Sequence, residues 1–573
     1  MTDSKIQRIP FHKDAITSWA NQRTEHKNWP VVYTISDSSE IYVGETTNAE
    51  IRMRQHLMSP NKDHLETVSV IVDENFNKSV CLDLESHLIR YFAADDQYKV
   101  INGNNGITDA DYFQRDLYRR HFNEIFDELV KTGALTRSIP DLVNSDMFKY
   151  SPFKALTNDQ AIAIEGILES LFAEKRLVES QPIVIQGDPG TGKTIVAVYL
   201  MKLLRDIASS RPDEALDMDS VFSDFFQEGF REEAASMRIG LVIPQLSLRK
   251  TVEKVFARTP GLEKSMVLAP FDLAGDIEKF DLLIVDETHR LQQRNNQPAA
   301  VLNTKFKETN IKLLGKDDIH FTQLDWIKAI SRNQIFLLDK AQSVKPADLP
   351  ESNIDAMLSS AKSSGHFFSL TSQMRVNGGE DYIDYIGKVL RGTYTGERKT
   401  FGNYDLRLFD SFVEMQREIL KKEAKHGLAR IVAGFAWPWA SRSGASHDIE
   451  VEGVKLVWNR RDNDWINSKS SIDEVGSIHT VQGYDLNYSG VIIGPDIGFD
   501  PKSQKLVFRR ENYHDKKGKE NNKVLGKVYS DEDMLDFVIN IYRVLMTRGV
   551  LGTFVYVVDP GLRQYLKGYI SDS

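Results

Sequence analysis

The run Gly187-Asp188-Pro189-Gly190-Thr191-Gly192-Lys193-Thr194 restricts the fold more than any other stretch of this chain. It follows the apolar Ile183-Val184-Ile185 and precedes Ile195-Val196-Ala197-Val198-Tyr199-Leu200, a helical pattern. Strand, glycine-rich loop and helix in that order make a phosphate cradle. The glycines Gly187, Gly190 and Gly192 let the backbone curl around an anion with its N–H groups inward, and the helix offers its positive end. Lys193 is placed to reach the β- and γ-phosphates of ATP, and Thr194 to hold Mg²⁺.

A second element fits the same chemistry. Leu282-Leu283-Ile284-Val285 is an apolar strand that ends in Asp286 and Glu287. Asp286 suits a place beside Mg²⁺, and Glu287 suits the positioning of an attacking water. Upstream, Leu156-Thr157-Asn158-Asp159-Gln160 lies about one helix before the loop. There the Gln160 amide could read the adenine edge, or Gln160 could complete a capping box with Thr157. Between the two elements, Ile239 to Gln245 reads as a strand, followed by Ser247, Arg249 and Lys250 as candidates for a nucleic-acid backbone. Downstream, Gln342 follows the strand Ile335-Phe336-Leu337-Leu338 as a γ-phosphate sensor. Arg375 and Arg548 are candidate arginine fingers.

Composition sets wider bounds. A 41% hydrophobic and 27% charged chain of 573 residues is an ordinary globular one with several domains. No apolar run approaches the roughly 18 residues of a membrane span. The polar start predicts no signal peptide, and the single Cys81 excludes an intrachain disulfide framework and a Cys-rich zinc site. A cytoplasmic protein is expected. The net charge of −10 gives no global basic footprint, so nucleic acid must bind through local patches.

In the first hundred residues, Val31 to Ile35 and Glu40 to Gly44 read as a hairpin around Ser36-Asp37-Ser38-Ser39. A helical segment then puts Arg52 and His56 on one face. Glu85 lies in another helix-like stretch, and Asn102 follows Val100-Ile101. This order resembles the GIY-YIG nuclease family. Val31-Val32-Tyr33 and Tyr42-Val43-Gly44 stand for its two signature triplets, Arg52-Met53-Arg54-Gln55-His56 for its helix pattern, and Glu85 and Asn102 for its later residues. The first triplet lacks its glycine. The spacing of eight residues between the triplets is short by an even number, which preserves strand parity. The resemblance implies a small α+β domain that cleaves DNA. Glu85 would hold Mg²⁺ or Mn²⁺, Tyr33 or Tyr42 with His56 would activate water, and Arg52 would stabilise charge on the phosphate. Phosphodiester hydrolysis needs such a Lewis acid, proton acceptor and cation.

From residue 156 onward the motifs resemble a superfamily 1 motor, and specifically the Schlafen group 3-like helicase domain. Gly434-Phe435-Ala436-Trp437-Pro438-Trp439, Trp458-Asn459 and His479-Thr480-Val481-Gln482-Gly483 carry that second resemblance. It implies two RecA-like P-loop domains with parallel sheets and ATP in the cleft. Gly483 would lie on the nucleotide side, and Arg375 and Arg548 would meet the phosphates. Three departures stand out: Lys340 after Asp339, no aromatic after Gln342, and Asp485 for the usual glutamate. Trp437 and Trp439 could stack on nucleotides or belong to the core.

The reading is therefore an α/β chain with a nuclease domain at 1–115, a helical connector at 116–155 and two parallel-sheet domains at 156–350 and 351–573. It is an ATPase and metal-dependent endonuclease acting on DNA in preference to RNA, in antiviral defence or repair. No membrane is expected as a partner; a homo-oligomer or an accessory protein fits. The alternative is an ATP-gated nuclease that does not translocate, or an RNA-directed enzyme. The insertion 205–237 suggests an amphipathic surface helix or a contact with another element, and the polar tract Gln292-Gln293-Arg294-Asn295-Asn296 of the insertion 291–330 suggests a mobile loop over a substrate.

Overall fold

The computed structural model describes residues 5–103, 111–173, 181–210, 221–275, 278–294, 300–339, 342, 344–372, 376, 378–460, 465–481, 484–516 and 518–572. The chain forms two compact units. One holds residues 1–162, 198–236 and 252–264, and the other holds 163–197, 237–251 and 265–573.

The first unit contains a mixed sheet of β1 (Lys5–Pro10), β2 (Val31–Ser36), β3 (Glu40–Thr46), β4 (Thr67–Val72) and β5 (Lys99–Val100). The order is β1-β4-β2-β3-β5, antiparallel except where β5 joins β3. Its helices are α1 (Lys13–Ala20), α2 (Ala49–Leu57) and α3 (Lys78–Asp95). Asn48 and Asn77 start α2 and α3 by accepting the amides of Ile51 and Val80. Trp19, Val31, Tyr33, Ile35, Met53, Val68 and Val70 form the core.

The expected connector is helical. It comprises α4 (Arg115–Lys131), α5 (Ile139–Val143) and α6 (Asp146–Lys149). α4 buries Phe122, Ile125, Phe126 and Leu129, as their spacing predicts, while Val130 stays half-buried. Asp95, at the end of α3, accepts the amides of Thr136 and Arg137 at 2.9 Å each. The connector is thus packed onto the nuclease domain.

Next come α7 (Asn158–Leu171), β6 (Ile183–Gly187), α8 (Lys193–Ser209), α9 (Glu228–Ser236), β7 (Ile239–Val242) and α10 (Leu246–Arg258). They are followed by β8 (Val267–Leu268), β9 (Phe280–Val285), α11 (Ala300–Leu314), α12 (Gln323–Ile330), β10 (Ser331–Leu338), α13 (Glu351–Ser364) and β11 (Phe367–Leu370). The six strands form one parallel sheet, β11-β6-β10-β9-β7-β8. Because β11 pairs with β6, this sheet runs past the boundary expected at 350. Residues 205–237 hold α9 and the aromatic contacts Tyr199–Phe222 and Phe225–Phe230. In residues 291–330, the expected polar loop falls in part outside the described residues, at 295–299, and α11 and α12 follow it. Trp326 packs on Phe306 there, and its indole donates to Asn310 at 2.7 Å.

The remaining elements are α14 (Gly379–Leu390), β12 (Asp405–Phe409), α15 (Phe412–His426), β13 (Ala429–Ala433), β14 (Ile449–Val451), β15 (Val454–Trp458) and β16 (Glu474–Gly476). After them come α16 (Ile478–Val481), β17 (Leu486–Ile493), β18 (Ile497–Asp500), β19 (Lys505–Phe508), α17 (Asp531–Met546), β20 (Gly549–Val557) and α18 (Pro560–Lys567). The second large sheet is β12-β20-β17-β13-β16-β15-β14, parallel except for the β14–β15 hairpin. Trp437 and Trp439 are half-buried and pack against its core, and Trp439 meets Trp458 at 5.5 Å. Among the described residues no helix is long and apolar enough to cross a membrane.

Candidate active sites

Strand register builds the nuclease site. Tyr33 lies opposite Gly44 and Ile35 opposite Tyr42, so Tyr33 and Tyr42 share one face as diagonal neighbours, with ring centroids 6.3 Å apart. Gly44 is required by space. A Cβ there would stand 2.5 Å from the Tyr33 hydroxyl and 2.6 Å from its Cζ. Asn102 fixes this strand from the side: it accepts the Val43 amide at 3.0 Å and donates to the Val43 carbonyl at 2.7 Å.

α2 brings His56 to this face. His56 Nε2 lies 2.7 Å from the Tyr33 hydroxyl, and Lys62 Nζ lies 3.1 Å from its Nδ1. An ammonium can only donate, so Nδ1 accepts and the ring proton sits on Nε2, directed at the Tyr33 oxygen. Burial, helped by the charges of Lys62 and Arg52, pushes His56 down to about 3 and keeps it neutral. Burial also raises Tyr33 well above the usual phenol range, with Tyr42 adding to the shift and Arg52 opposing it. Tyr42 is pushed up to about 12 by burial and by Glu85. The structure therefore gathers all five predicted nuclease residues, Tyr33, Tyr42, Arg52, His56 and Glu85. It adds Lys62, which also covers the Tyr42 ring at 3.6 Å. No sequence pattern marks Lys62, because it reaches the site from the turn after α2.

Among the described residues no group of three or more His, Cys, Asp or Glu side chains gathers to hold a metal ion. A divalent cation at half-buried Glu85 would complete its shell with water and phosphate oxygens, as Mg²⁺ commonly does.

The nucleotide site lies at the carboxyl ends of β6, β9 and β10. Gly190 and Gly192 have φ of +91° and +80°, which lets the loop turn its amides inward. Lys193 is buried and donates to the carbonyls of Gly187 at 2.6 Å and Asp188 at 3.0 Å. Thr194 Oγ1 donates to Asp286 Oδ2 at 2.6 Å, joining the first turn of α8 to the end of β9. Burial beside Glu287 pushes Asp286 up to about 6. A cation placed between this hydroxyl and this carboxylate would find the hard oxygen donors it needs.

Glu287 has φ +49°, an uncommon conformation for a residue with a side chain and one that concentrates at functional sites. Its burial would raise its pKa, but His289 and Lys193 outweigh that and hold the carboxyl below the usual range. His289 Nε2 stands 2.9 Å from Glu287 Oε2, in contact but out of line for a hydrogen bond. The Asp339 amide donates to His289 Nδ1 at 3.4 Å, and Asp339 in turn accepts Gln342 Nε2 at 2.7 Å. A polar relay thus runs from Glu287 through His289 and Asp339 to the predicted sensor Gln342. Sequence reasoning misses His289 and Asp339, although one lies two residues after Glu287 and the other at the exit of β10.

Gln160, Arg548, Arg375 and Gly483 complete the predicted set. Gln160 Oε1 accepts the Thr157 amide at 3.1 Å, which is the capping arrangement. Arg548 is 2% exposed, and its Nη1 donates to the Tyr484 carbonyl at 3.4 Å. Among the described residues Arg543 also approaches the phosphate loop, with its Nη2 3.6 Å from Asp188 Oδ1. Gly387 makes room for it, since a Cβ there would stand 3.2 Å from Arg543 Nε. Arg543 shares its motif with Arg548, five residues earlier, and that position is the available signal. Arg375 and Gly483 lie outside the described residues.

A cleft of about 430 Å³ opens beside the nucleotide site, lined by Arg249, Arg290, Phe271, Lys345 and Asp348 and, from the second sheet domain, Thr480. Asp348 organises its floor. It pairs with Arg290 at 3.0 Å and accepts the amides of Val344 and Lys345.

Comparison with known proteins gives two family matches. Residues 180–559 match the Schlafen group 3, DNA/RNA helicase domain, and residues 12–99 match the GIY-YIG catalytic domain. An uncharacterized protein of Saccharomyces cerevisiae, YPL245W, is 25% identical over 413 residues, covering 67% of this chain and 83% of its own. The PRRSV helicase structure is 12% identical with a TM-score of 0.28; it spans 72% of this chain, and this chain spans 57% of its length. A structure of two coordinating Pif1 helicases unwinding forked DNA is 10% identical with a TM-score of 0.25, over 69% of this chain and 92% of that one. The fold assignment rests on the sheets described above and not on these two scores.

Two outcomes are expected. Gly44→Ala displaces the Tyr33 hydroxyl and lowers DNA cleavage by roughly 100-fold, the scale of a misplacement of about 1 Å, while ATP turnover is unchanged. His289→Ala removes the imidazole that faces buried Glu287, so burial weighs more and the carboxyl pKa rises. The acidic limb of the ATP-turnover profile moves to higher pH, read from turnover measured between acid and neutral pH.

Proposed function

The chain belongs to the Schlafen group 3, DNA/RNA helicase domain family and carries a GIY-YIG catalytic domain, and from that premise we propose an ATP-driven DNA motor that controls a divalent-metal-dependent endonuclease. The observation that carries the motor half is the Thr194–Asp286 bond beside Glu287 and Lys193. On ATP binding, Lys193 leaves the carbonyls it now holds for the phosphates. Thr194 and Asp286 would hold the accompanying Mg²⁺, and Glu287 would orient the water that attacks the γ-phosphate. Gln342 reports the γ-phosphate back through Asp339. Arg543, together with Arg375 and Arg548, stabilises the charge that develops in transition.

In the nuclease half, Glu85 would hold Mg²⁺ or Mn²⁺, and such a cation would supply Lewis acidity at the scissile phosphate. Tyr33 or Tyr42, with His56, would activate the attacking water. Arg52 partly offsets the burial that holds the Tyr33 phenol protonated, and the His56 Nε2 proton is directed at the same oxygen. Arg52 also faces the charge that builds on the phosphate. The cleft lined by Arg249, Arg290 and Lys345 suits a nucleic-acid backbone, and DNA fits the nuclease better than RNA. Defence against foreign DNA and DNA repair are the cellular roles consistent with the pairing of a motor with a cutter.

A second reading, an ATP-gated nuclease that does not translocate, is favoured by one observation. Among the described lining residues of the cleft, Phe271 alone offers an aromatic face for base stacking.

The test is cleavage of circular and linear DNA in Mg²⁺, with and without ATP, by wild type, Glu85→Ala and Lys193→Ala. The proposal expects cutting to require both residues. Cutting that needs Glu85 but ignores Lys193 would mean that the motor does not control the nuclease. Cutting that survives Glu85→Ala would place the nuclease centre elsewhere.

A further inference from the structure

The segment between β19 and α17 concentrates positive charge in an acidic chain: residues 509–527 hold seven Lys or Arg against three Asp or Glu, where the whole chain carries −10. Part of that charge is structural. Arg509 pairs with Asp559 and Arg510 with Asp531, and Lys519 Nζ donates to the carbonyls of Arg510 and Tyr513. Lys516, Lys523 and Lys527 are different, for all three stand exposed.

Asn522 decides where Lys523 and Lys527 sit. It is 2% exposed and bonded three ways. Its Oδ1 accepts the Leu525 amide at 3.1 Å, its carbonyl accepts the Lys527 amide at 3.0 Å, and its Nδ2 donates to the Arg294 carbonyl at 2.9 Å. The first two bonds close a tight hairpin from Asn522 to Lys527, which turns through Gly526 at φ +66°. The third fastens that hairpin to the first sheet domain. A second tie follows, in which the Tyr529 hydroxyl donates to the Pro346 carbonyl at 3.4 Å. Arg294 lies two residues past Gln292, and Pro346 directly follows Lys345. Gln292 and Lys345 both line the cleft. The hairpin is thus held at the rim of the cleft, with Lys523 and Lys527 flanking the half-buried Val524 and Leu525.

We infer that this hairpin is a backbone-binding ridge for a single nucleic-acid strand passing through the cleft, with Lys516, Lys523 and Lys527 contacting its phosphates. The inference rests on the reading of the cleft as the nucleic-acid path. Charge complementarity selects the partner, since exposed ammonium groups clustered beside a cationic cleft match a polyanion and little else. The ridge also bridges the two sheet domains. A strand bound on it would therefore resist or follow their movement as ATP turns over.

The test uses the full chain and a labelled single-stranded oligonucleotide, with binding followed by fluorescence anisotropy across a salt series. Replacing Lys516, Lys523 and Lys527 by Ala should weaken binding at least tenfold. It should also reduce the slope of log K against log salt by about 2, the value for three lost phosphate contacts on a single strand. ATP turnover without nucleic acid should stay at the wild-type rate, which also reports that the variant is folded. The triple Lys→Arg variant should bind like wild type. Equal affinity and equal salt slope in the Ala variant, with wild type binding normally, would overturn the ridge while leaving the motor reading intact. Failure of wild type to bind any strand would overturn both.

Discussion

The Thr194–Asp286 hydrogen bond is the contact on which the motor depends. It exists because β6 and β9 flank β10 in a parallel sheet, with Ile335 in register with both Ile183 and Ile284. The carboxyl ends of the strands then emerge side by side, where such sheets place their ligands. Two left-handed glycines turn the backbone at Gly190 and Gly192, and α8 starts at Lys193. Every other motor residue is arranged around that junction. Glu287 follows Asp286 in a strained conformation, His289 steadies it, and Asp339 links His289 to Gln342. Buried charges of this kind are tolerated because each faces a partner.

The nuclease site solves a different packing problem. Two tyrosines, a histidine and a lysine share a small face of the sheet, and the absence of a side chain at Gly44 makes room for them. The lysine fixes the histidine tautomer, which in turn fixes what the histidine can offer Tyr33. The chemistry open to Tyr33 is thus decided by Lys62, a residue that does not touch it in any described contact.

Much of this architecture is legible in the amino-acid sequence, and the physical reason is locality. The phosphate loop, the Asp286-Glu287 strand end, the hairpin of Tyr33 and Tyr42 and the Arg52–His56 face are patterns within one or two elements, where period and turn chemistry decide the geometry. What escapes a sequence reading depends on contacts distant along the chain. Arg543 and Arg548 sit on one motif, and nothing local says that Gly387 admits the first to Asp188 while Tyr484 engages the second. Gln160 is ambiguous for the opposite reason, because its cap is local and its adenine contact would not be. The domain boundary falls beyond 350 because β11 returns to pair with β6 after a helix, a crossover that no single stretch announces. The tract after Glu287 resembles a loop because its first residues are polar, while Trp326 and Phe306, which fix its helices in the core, are 20 residues apart.

The most direct test of the account is ATP binding and turnover by Glu287→Gln beside wild type. The substitution keeps the size of the side chain and removes the charge that would orient water. The account predicts ATP affinity within about threefold of wild type and turnover reduced by on the order of 100-fold or more, the scale of removing a positioned catalytic group. Turnover at the wild-type rate would contradict it, and would mean that the junction of Thr194, Asp286 and Glu287 is not where this chain hydrolyses ATP.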